Sequence, residues 1–473
     1  GRMIEEVQAQ THGESFTVRN RYDAAGNRTQ RQTESSAGPG HRVEYGFDLL
    51  DQSTEVRING GAPIRAQRDA LGQITDEQLA PGLTRQCRYD ADGRMLEQSL
   101  SRDGQSLFAT HCDYDRAGNL TQRSDSQFGI DRYVYDPMGR ILAHTDPQGQ
   151  IERFFNDPAG DRLITRIEAA GDAASQVHGR GDGWARAGDY RGVRYRFDRA
   201  GNLVEKCDVN ARLQLVWDAN QRLIASRKTT RDTAPITHYG YDPLGRRLFK
   251  ETHGRRTWFG WDSDAIAVDI IDGQPREFLF VPGTFEPLAM LDGTAQPDLY
   301  WNDSNGCPVR LIDRSGNTSW AAAFSSWGRL TDLRIAEKNN PIRLQGQYAD
   351  AETGLHYNTF RYYDPKVGGF ISQDPIGLFG GTNPYAYGPN VLTYIDPMGL
   401  MCKYMRKRRR EIAKLAQTPG NKGIRTALTP RQLRQLGEDF VGEGHTIQRG
   451  RHGELWLISA DNKRMFRTPT NKS

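Results

Sequence analysis

A short phrase that recurs along the first half of this 473-residue chain constrains its fold more than any other feature. It consists of an aromatic residue, Asp, two variable residues and Gly, as in YDADG at 89–93 and YDPMG at 135–139, and weaker copies keep part of it. The aspartates of all copies are Asp23, Asp48, Asp69, Asp90, Asp115, Asp136, Asp157, Asp198, Asp218 and Asp242. Most neighbours lie about 21 residues apart, and a fixed period of this length indicates a repeat array.

Each copy has the composition of a tight hairpin turn. An Asp at the first position accepts hydrogen bonds from nearby backbone N–H groups, and the Gly supplies the left-handed residue that ends the turn. The flanking residues alternate, as in RYVYDPMGRILAHT at 132–145, which predicts two strands and a hairpin with a bulge. One hairpin cannot bury its own face, so neighbours must stack into a long sheet. We therefore expect residues 20–400 to be almost entirely β.

Metal and carbohydrate binding are alternative roles for these units. Each unit offers one carboxylate, whereas a Ca²⁺ site needs six or more oxygen ligands, and a tyrosine in a strand usually packs rather than binds sugar. The five cysteines are scattered and contain no CxxC pair, which argues against a zinc site or a disulfide framework. No apolar run approaches 18 residues. The sequence predicts no cofactor, no metal site and no membrane span.

A five-residue phrase occurs twice near residue 400. DPIGL at 374–378 is the first phrase, and DPMGL at 396–400 is the second phrase, 22 residues later. The simpler interpretation is that both are turns, because their spacing is close to the repeat period. The functional interpretation is that Asp374 and Asp396 come together, share a proton and act as acid and base.

The tandem phrases resemble those of the Rhs, or YD-repeat, polymorphic toxins. The resemblance is strongest in GQYADAETGLHYNTFRYYDPKVGGFISQDPIGLFGGTNPYAYGPNVLTYIDPMGL, which is similar to the Rhs core signature over its whole length. It covers about residues 20–400. It implies a mostly β fold, in which a ribbon of YD-repeat hairpins coils into a hollow shell around a C-terminal toxin, with only part of the shell in this chain.

The resemblance also implies intramolecular aspartyl cleavage. The catalytic residues would be Asp374 and Asp396, and the bond between Leu400 and Met401 would be cut. The chain departs from the signature at Gly369, where the family usually has Arg. If that arginine orients an aspartate, this exchange is expected to slow cleavage.

The composition changes directly after the second phrase. Residues 401–473 contain 17 Lys and Arg and 6 Asp and Glu, a formal charge of +11, whereas residues 1–400 contain 46 basic and 53 acidic residues, a charge of −7. The tail is expected to form two helices followed by a small antiparallel sheet, that is, a small α+β domain. Its charge favours a polyanion partner.

Metal-free RNA cleavage requires a base, an acid and cations on the phosphate. The catalytic candidates in the tail are Glu443, His445, His452, Arg464 and Arg467. The candidates for nucleic-acid binding are Arg406, Lys407, Arg408, Arg409, Arg410 and Lys463. A basic run is more often a solvated face or a linker, and a single His is usually a surface or packing residue. The tail also loosely resembles the small nuclease modules of polymorphic toxins, through LTPRQLRQLGEDFVGEG and SADNKRMFR.

These observations predict three regions: a YD-repeat shell over 1–300, a self-cleaving core over 301–400 and a basic toxin domain over 401–473. The resemblance implies a protein made in a bacterial cytoplasm and exported by a dedicated system of type VI, with secretion spike or chaperone proteins bound through a missing N-terminal part. Its other partners would be RNA and a cognate immunity protein, and its toxin would act in the target-cell cytoplasm. Two alternatives remain: a non-enzymatic cell-surface or adhesion protein, and a toxin whose tail cleaves DNA, consumes NAD or transfers ADP-ribose.

Overall fold

The computed structural model describes residues 2–9, 13–168, 185–293 and 296–400, together with three short strands of the C-terminal part. Within these residues the chain consists of strands and the turns and loops that join them, and its one helix is a short 3-10 turn at Gly377–Gly380. The chain divides into two compact units, Gly1–Leu400 and Met401–Ser473. The mostly β fold predicted from the repeat is confirmed for the first unit.

The first sheet contains fourteen antiparallel strands in chain order, so each strand pairs with its neighbours in sequence. Its strands are β1 (Glu5–Gln8), β2 (Phe16–Tyr22), β3 (Arg28–Ser35), β4 (Arg42–Phe47), β5 (Ser53–Ile58), β6 (Ile64–Arg68), β7 (Ile74–Ala80), β8 (Leu83–Tyr89), β9 (Met95–Arg102), β10 (Gln105–Tyr114), β11 (Leu120–Asp125), β12 (Gly129–Tyr135), β13 (Ile141–Thr145) and β14 (Ile151–Arg153).

The second sheet contains sixteen antiparallel strands, also in chain order. Its strands are β15 (Ile164–Glu168), β16 (Ala185–Tyr190), β17 (Val193–Phe197), β18 (Leu203–Cys207), β19 (Arg212–Trp217), β20 (Leu223–Thr229), β21 (Ile236–Tyr241), β22 (Arg247–Thr252), β23 (Arg255–Asp262), β24 (Ala265–Ile271), β25 (Gln274–Phe280), β26 (Pro287–Asp292), β27 (Asp298–Asn302), β28 (Pro308–Ile312), β29 (Thr318–Phe324) and β30 (Leu330–Ala336). It crosses residue 300 without interruption.

Two smaller antiparallel sheets follow. The core sheet consists of β31 (Tyr348–Asp350), β32 (Leu355–Asn358), β33 (Arg361–Asp364) and β34 (Gly369–Phe370). The sheet of the second unit consists of β35 (Thr446–Arg449), β36 (Leu455–Ile458) and β37 (Met465–Arg467). The helices predicted for the tail lie outside the described residues, as do most of residues 401–473, and enclosure of the tail by the ribbon remains a prediction.

The predicted hairpin turns are confirmed at all ten repeat aspartates. In each turn the Asp N–H donates to the carbonyl four residues later, and the Asp carbonyl accepts from the N–H three residues later. The strand pairing shifts at the residue before most of these aspartates, which is the expected bulge. The closing glycine is left-handed, as at Gly93 with φ 79°. The same YD-type turn also occurs at Asp146, Asp303 and Asp313, in addition to the ten predicted positions.

The two large sheets pack against each other through buried side chains. Phe108 of the first sheet meets Trp301 of the second edge to face, with ring centroids 4.9 Å apart. Arg31, which is 2% exposed, reaches across to Asp262 at 3.0 Å and to Glu277 at 3.2 Å. The side chains of residues 340–400, the core segment, join the hydrophobic clusters of both sheets. The core segment is therefore packed by both halves of the array.

Candidate active site

Both repeated phrases fold as turns that share the Gly N–H to Asp carbonyl bond of the array turns, but in the first phrase the Asp374 N–H donates to the Pro384 carbonyl over 3.0 Å instead of to the carbonyl four residues later. In the first phrase the Gly377 N–H donates to the Asp374 carbonyl over 2.8 Å, and Asp374 Oδ1 accepts the Ile376 N–H over 3.0 Å. In the second phrase the Gly399 N–H donates to the Asp396 carbonyl, and Asp396 Oδ1 accepts the Leu400 N–H over 2.8 Å. The simpler interpretation of the phrases as turns is thus correct at the level of the backbone.

The residue four positions after the aspartate differs between these phrases and eight of the repeat turns. In the turn at Asp136, for example, Arg140 Nε donates to Asp136 Oδ2 over 2.6 Å. A polar side chain makes the same contact in the turns at Asp23, Asp90, Asp115, Asp198, Asp218, Asp242 and Asp313. The two phrases have Leu378 and Leu400 at this position. Because leucine cannot donate a hydrogen bond, Oδ2 of each aspartate is available to a more distant group.

That group is Arg361, at the start of β33. Its Nη2 lies 3.1 Å from Asp374 Oδ2 and 3.1 Å from Asp396 Oδ2. Because both oxygens contact one nitrogen, they are separated by at most twice that distance. Arg361 and Asp396 are each 2% exposed, and Asp374 is 8% exposed. The structure therefore brings the two predicted aspartates together around a buried cation.

The remaining donors of Arg361 fix its orientation. Nη1 donates to the Pro384 carbonyl over 3.0 Å, and Nε donates to the carbonyl of Gly399 in the second phrase. The guanidinium carbon lies 3.6 Å from the centroid of the Phe370 ring, at cation–π distance. Arg361 thus contacts the second phrase through backbone and carboxylate at once.

The tip of the β32–β33 hairpin supports the second phrase. Asn358 Nδ2 donates to the Asp396 carbonyl over 2.8 Å, and the Phe360 N–H donates to the Met398 carbonyl over 3.3 Å. Thr359 between them has a φ of 57°, which lets the hairpin turn tightly. The hairpin therefore holds the backbone that leads to the predicted cleavage site.

Burial raises the pKa of Asp374 above its ordinary value, while the charge of Arg361 and the Ile376 N–H oppose that increase. Burial also lowers the pKa of Arg361, and both carboxylates oppose that decrease. A carboxyl group with a raised pKa keeps its proton to a higher pH and can serve as the acid of an acid–base pair. The site therefore combines a carboxyl group of raised pKa with a second aspartate on the same buried cation.

A glycine leaves room for the Asp374 carboxyl group. A Cβ atom on Gly380 would lie 2.9 Å from Asp374 Cγ and closer still to Oδ2. Gly380 does not have a left-handed φ, so its backbone does not require glycine. Its small size is therefore explained by the carboxyl group next to it.

The structure describes only part of the predicted site residues. Asp374, Asp396 and Leu400 meet in one site, whereas Met401 lies outside the described residues. The tail candidates outside them are Arg406, Lys407, Arg408, Arg409, Arg410, Glu443, His445, His452, Lys463 and Arg464. Arg467 belongs to β37, where its backbone pairs with Trp456 of β36. The roles of these tail residues stay predictions.

Arg361 and Asn358 were not predicted from the sequence. Arg361 lies 13 residues before Asp374 and 35 before Asp396, so no local spacing connects the three. The available signal was the leucine four residues after each aspartate, where eight of the repeat turns have Arg or Asn. Gly369, where the family usually has Arg, lies on β34. A Cβ atom at this position would lie 3.1 Å from the Tyr385 carbonyl oxygen. The arginine that contacts both aspartates is Arg361.

Comparison with known proteins identifies the family of this chain. The RHS Repeat family matches residues 114–151. The chain is 32% identical over 367 residues to Double-stranded DNA deaminase toxin A of Burkholderia cenocepacia, a match that covers 68% of this chain and 25% of the relative. It is 31% identical over 480 residues to Toxin protein Tse5 of Pseudomonas aeruginosa, covering 85% of this chain and 35% of the relative. The chain belongs to the Rhs repeat family.

Other Rhs relatives carry nuclease names. The chain is 28% identical over 382 residues to the Probable deoxyribonuclease RhsA of Dickeya dadantii, covering 75% of this chain and 26% of the relative. The chain thus spans about a quarter to a third of these Rhs proteins.

Solved structures share the fold. The crystal structure of TcdB2-TccC3-Cdc42 matches 82% of this chain and 22% of its own, with a TM-score of 0.58 and 17% identity. The Photorhabdus luminescens Tc holotoxin pore matches 88% of this chain and 22% of its own, with a TM-score of 0.55 and 16% identity. At this identity the likeness concerns the fold alone.

Two further observations concern only the described part of this Rhs chain. None of its described helices has the length and apolar character needed to span a membrane. Its described His, Cys, Asp and Glu residues form no group of three or more that could hold a metal ion.

Proposed function

We propose that this Rhs chain is part of a secreted toxin whose core cuts the bond between Leu400 and Met401 and thereby frees residues 401–473. The observation that carries the proposal is the pair of buried aspartates on Arg361, with the Leu400 N–H bonded to Asp396. The break in composition directly after Leu400 supports the position of the cut.

The reaction is hydrolysis of one amide bond. Asp396 accepts a proton from a water molecule, and the water oxygen attacks the Leu400 carbonyl carbon while protonated Asp374 donates to the carbonyl oxygen. The C–N bond then breaks, Leu400 keeps the new carboxylate and the Met401 nitrogen leaves as an amine after taking a proton. Arg361 orients both aspartates throughout.

Intact-mass measurement of the purified chain tests this proposal. We expect two fragments divided between Leu400 and Met401, and one uncut chain for Asp374→Asn and for Asp396→Asn. Asp313→Asn is the matched control, because it removes the same carboxylate from an ordinary turn whose partner is Asn317. If either dyad variant still cuts at this bond, the assignment is wrong.

We further propose that the released tail is a nuclease, with RNA as its substrate and no metal requirement. A charge of +11 on 73 residues would bind the phosphate backbone of RNA electrostatically. His445 or His452 would move the proton, with Glu443 nearby, and Arg464 or Arg467 would stabilise charge on phosphorus. Arg406–Arg410 and Lys463 would add phosphate contacts.

A relative's name supports a nuclease tail without choosing its substrate. WapA of Bacillus spizizenii, named a tRNA3(Ser)-specific nuclease, is 30% identical over 214 residues, covering 43% of this chain and 9% of the relative. The names of RhsA and of the deaminase toxin favour DNA as the second candidate substrate. An NAD-consuming or ADP-ribosylating tail is a third, and a non-enzymatic surface protein would need neither dyad nor toxin.

Inducible expression of residues 401–473 in bacteria separates these candidates when RNA, DNA and NAD are followed together. We expect RNA to be cut, and His445→Ala, His452→Ala and Arg467→Ala, tested one at a time, to identify the residues that toxicity requires. RNA that stays intact while DNA is altered or NAD falls would replace the ribonuclease proposal. Export by a type VI system with spike or chaperone proteins, action in the target-cell cytoplasm and an acidic immunity protein belong to the same proposal.

A further inference from the structure

Each repeated phrase is attached to a different part of the array. The segment before the first phrase is attached to the second sheet, where the Leu203 N–H donates to the Ile371 carbonyl over 2.8 Å. The Tyr385 hydroxyl, which follows the first phrase, donates to the Gly201 carbonyl over 3.0 Å. Gly201 closes the repeat turn at Asp198, and Leu203 is the first residue of β18. Asp374 is therefore positioned by the second sheet.

The segment before the second phrase is attached to the first sheet through Asn390. Its Nδ2 donates to the Gly139 carbonyl over 2.7 Å, and Gly139 closes the repeat turn at Asp136. Its Oδ1 accepts the N–H and the hydroxyl of Thr393, both over 2.9 Å. Asn390 is fully buried. One side chain thus fixes both the loop that precedes Asp396 and the distance of that loop from the first sheet.

The same loop is attached to the second sheet through Asn305. Its Nδ2 donates to the Val391 carbonyl over 2.7 Å and to the Tyr394 carbonyl over 2.8 Å. Asn305 lies in the repeat turn at Asp303, is 7% exposed, and its own carbonyl accepts from Gln345 Nε2 over 2.7 Å. Asn305 and Asn390 therefore bracket the approach to Asp396 from opposite sheets.

We infer that Asn390 and Asn305 are positioning residues that make self-cleavage conditional on the docking of both sheets. This role depends on the proposed self-cleavage. Neither residue touches the reacting bond, but a shift of the Asp396 loop would separate its carboxylate from Arg361 and from the Leu400 N–H. The chain would then be cut only after both halves of the array are in place, and an incompletely folded chain would keep its tail attached.

The matched controls are Asn20 and Asn220. Asn20 is 6% exposed, and its Nδ2 donates over 3.2 Å to the carbonyl of Met3, which precedes β1, so Asn20→Ala removes a contact of a buried side chain away from the site. Asn220 occupies the same position in the turn at Asp218 as Asn305 in the turn at Asp303, with the same 2.9 Å backbone contact to the turn aspartate. Its side chain is exposed, so Asn220→Ala tests the turn position alone.

The experiment follows cleavage of newly made full-length chain by intact mass over time, together with thermal unfolding of the same samples. We expect Asn390→Ala and Asn305→Ala to slow the cut about 10- to 100-fold, which is the usual cost of a small misplacement of reacting groups. Asn20→Ala and Asn220→Ala should cut at the wild-type rate. Asn390→Asp, which keeps the Thr393 contacts but loses the donor to Gly139, should also be slow.

Two results would overturn the inference. One is wild-type cleavage by folded Asn390→Ala and Asn305→Ala. The other is slowing by Asn20→Ala at an equal loss of unfolding midpoint, because the effect would then be one of general stability. Failure of the proposed self-cleavage itself has a separate signature, since the wild-type chain would stay uncut or Asp374→Asn would be cut normally.

Discussion

At the scale of single residues, the Asp374 carboxyl group is confined on three sides. Arg361 contacts Oδ2, the Ile376 N–H contacts Oδ1, and Gly380 leaves the space into which Oδ2 projects. The position of this group is therefore set by size as well as by charge, and each contribution can be changed separately.

Substitution of Gly380 by alanine tests the contribution of size. The added methyl group would displace the Asp374 carboxyl group without backbone strain, so cleavage should slow about 10- to 100-fold while the unfolding midpoint stays nearly constant. Gly381→Ala is the control, because its Cβ would meet nothing within 4 Å although its φ of 137° makes the backbone strained. Equal cleavage rates for Gly380→Ala and the wild type would contradict the assigned role of Asp374.

The pH dependence of cleavage tests the contribution of charge. Protonated Asp374 is the proposed acid, so the rate should be high below the raised pKa of Asp374 and should fall as the pH rises through it. Arg361 lowers that pKa, so Arg361→Gln should move the falling limb to higher pH, whatever it does to the maximal rate. If the falling limb of the cleavage rate stays at the same pH or moves to lower pH, a group other than Asp374 donates the proton.

At the scale of the structural element, the YD-type turn explains both the scaffold and the site. Eight repeat turns hold their aspartate locally, through an Arg or Asn side chain four residues later, whereas Oδ2 of both phrase aspartates contacts Arg361. This difference was visible in the sequence, but its consequence was not, because Arg361 lies outside both phrases.

Replacing Leu378 with asparagine should restore an ordinary turn. The new amide could donate to Asp374 Oδ2, as Asn119 does to Asp115 over 2.9 Å, and would compete with Arg361. Because Leu378 is 77% exposed, we expect slower cleavage with an unfolding free energy within about 0.5 kcal/mol of the wild type. Leu378→Ala removes the same side chain without adding a donor and should cleave normally. Equal rates for the two variants would exclude this competition.

The core sheet is held to the second sheet by buried ion pairs. Asp350 accepts from Arg247 Nη1 over 2.6 Å and from Lys250 Nζ over 3.0 Å, and Arg247 is fully buried. These cations lower the pKa of Asp350 despite its burial. Removing the carboxylate would leave two cations without it in a buried site, which is among the more costly changes in a protein interior.

Asp350→Asn should lower the unfolding free energy by about 3–5 kcal/mol at neutral pH. Because the folded pKa is lowered, the carboxylate contributes its full stability above the unfolded value of about 3.9 and loses it as the pH falls below that value. The difference in unfolding free energy between the wild type and the variant, measured by chemical unfolding, should therefore become smaller below about pH 4. Asp272→Asn, at an exposed pair with Arg255, is the control and should change stability little. A difference that is constant with pH would argue against the ion pairs.

At the scale of the whole molecule, the repeat period predicted the turns, the bulges and the β content of residues 20–400. It did not predict the break between β14 and β15 or the packing of the two sheets, because these depend on contacts between distant residues such as Phe108 and Trp301. In the site, Asp374 and Asp396 were predictable from the repeated phrase and the family resemblance. Arg361 was not, because its contacts with Asp374 and Asp396 join residues that are distant in sequence and meet only in the folded chain.

The far-ultraviolet circular dichroism spectrum of the full chain tests the β content. It should be dominated by strand, with a helical contribution no larger than the 73 residues of the tail could give. A spectrum dominated by helix would contradict the fold of residues 20–400.

The leucine that ends each phrase indicates how such a site can arise in a repetitive protein. Eight hairpins of the array already present a carboxylate with one oxygen bound to the backbone and the other bound to the side chain four residues later. Exchange of that side chain releases the second oxygen, and a buried arginine between two such turns then gathers the pair. In evolutionary terms, a cutting site could be derived from the building block of its own scaffold by two point changes and one cation, without the import of a separate enzyme domain.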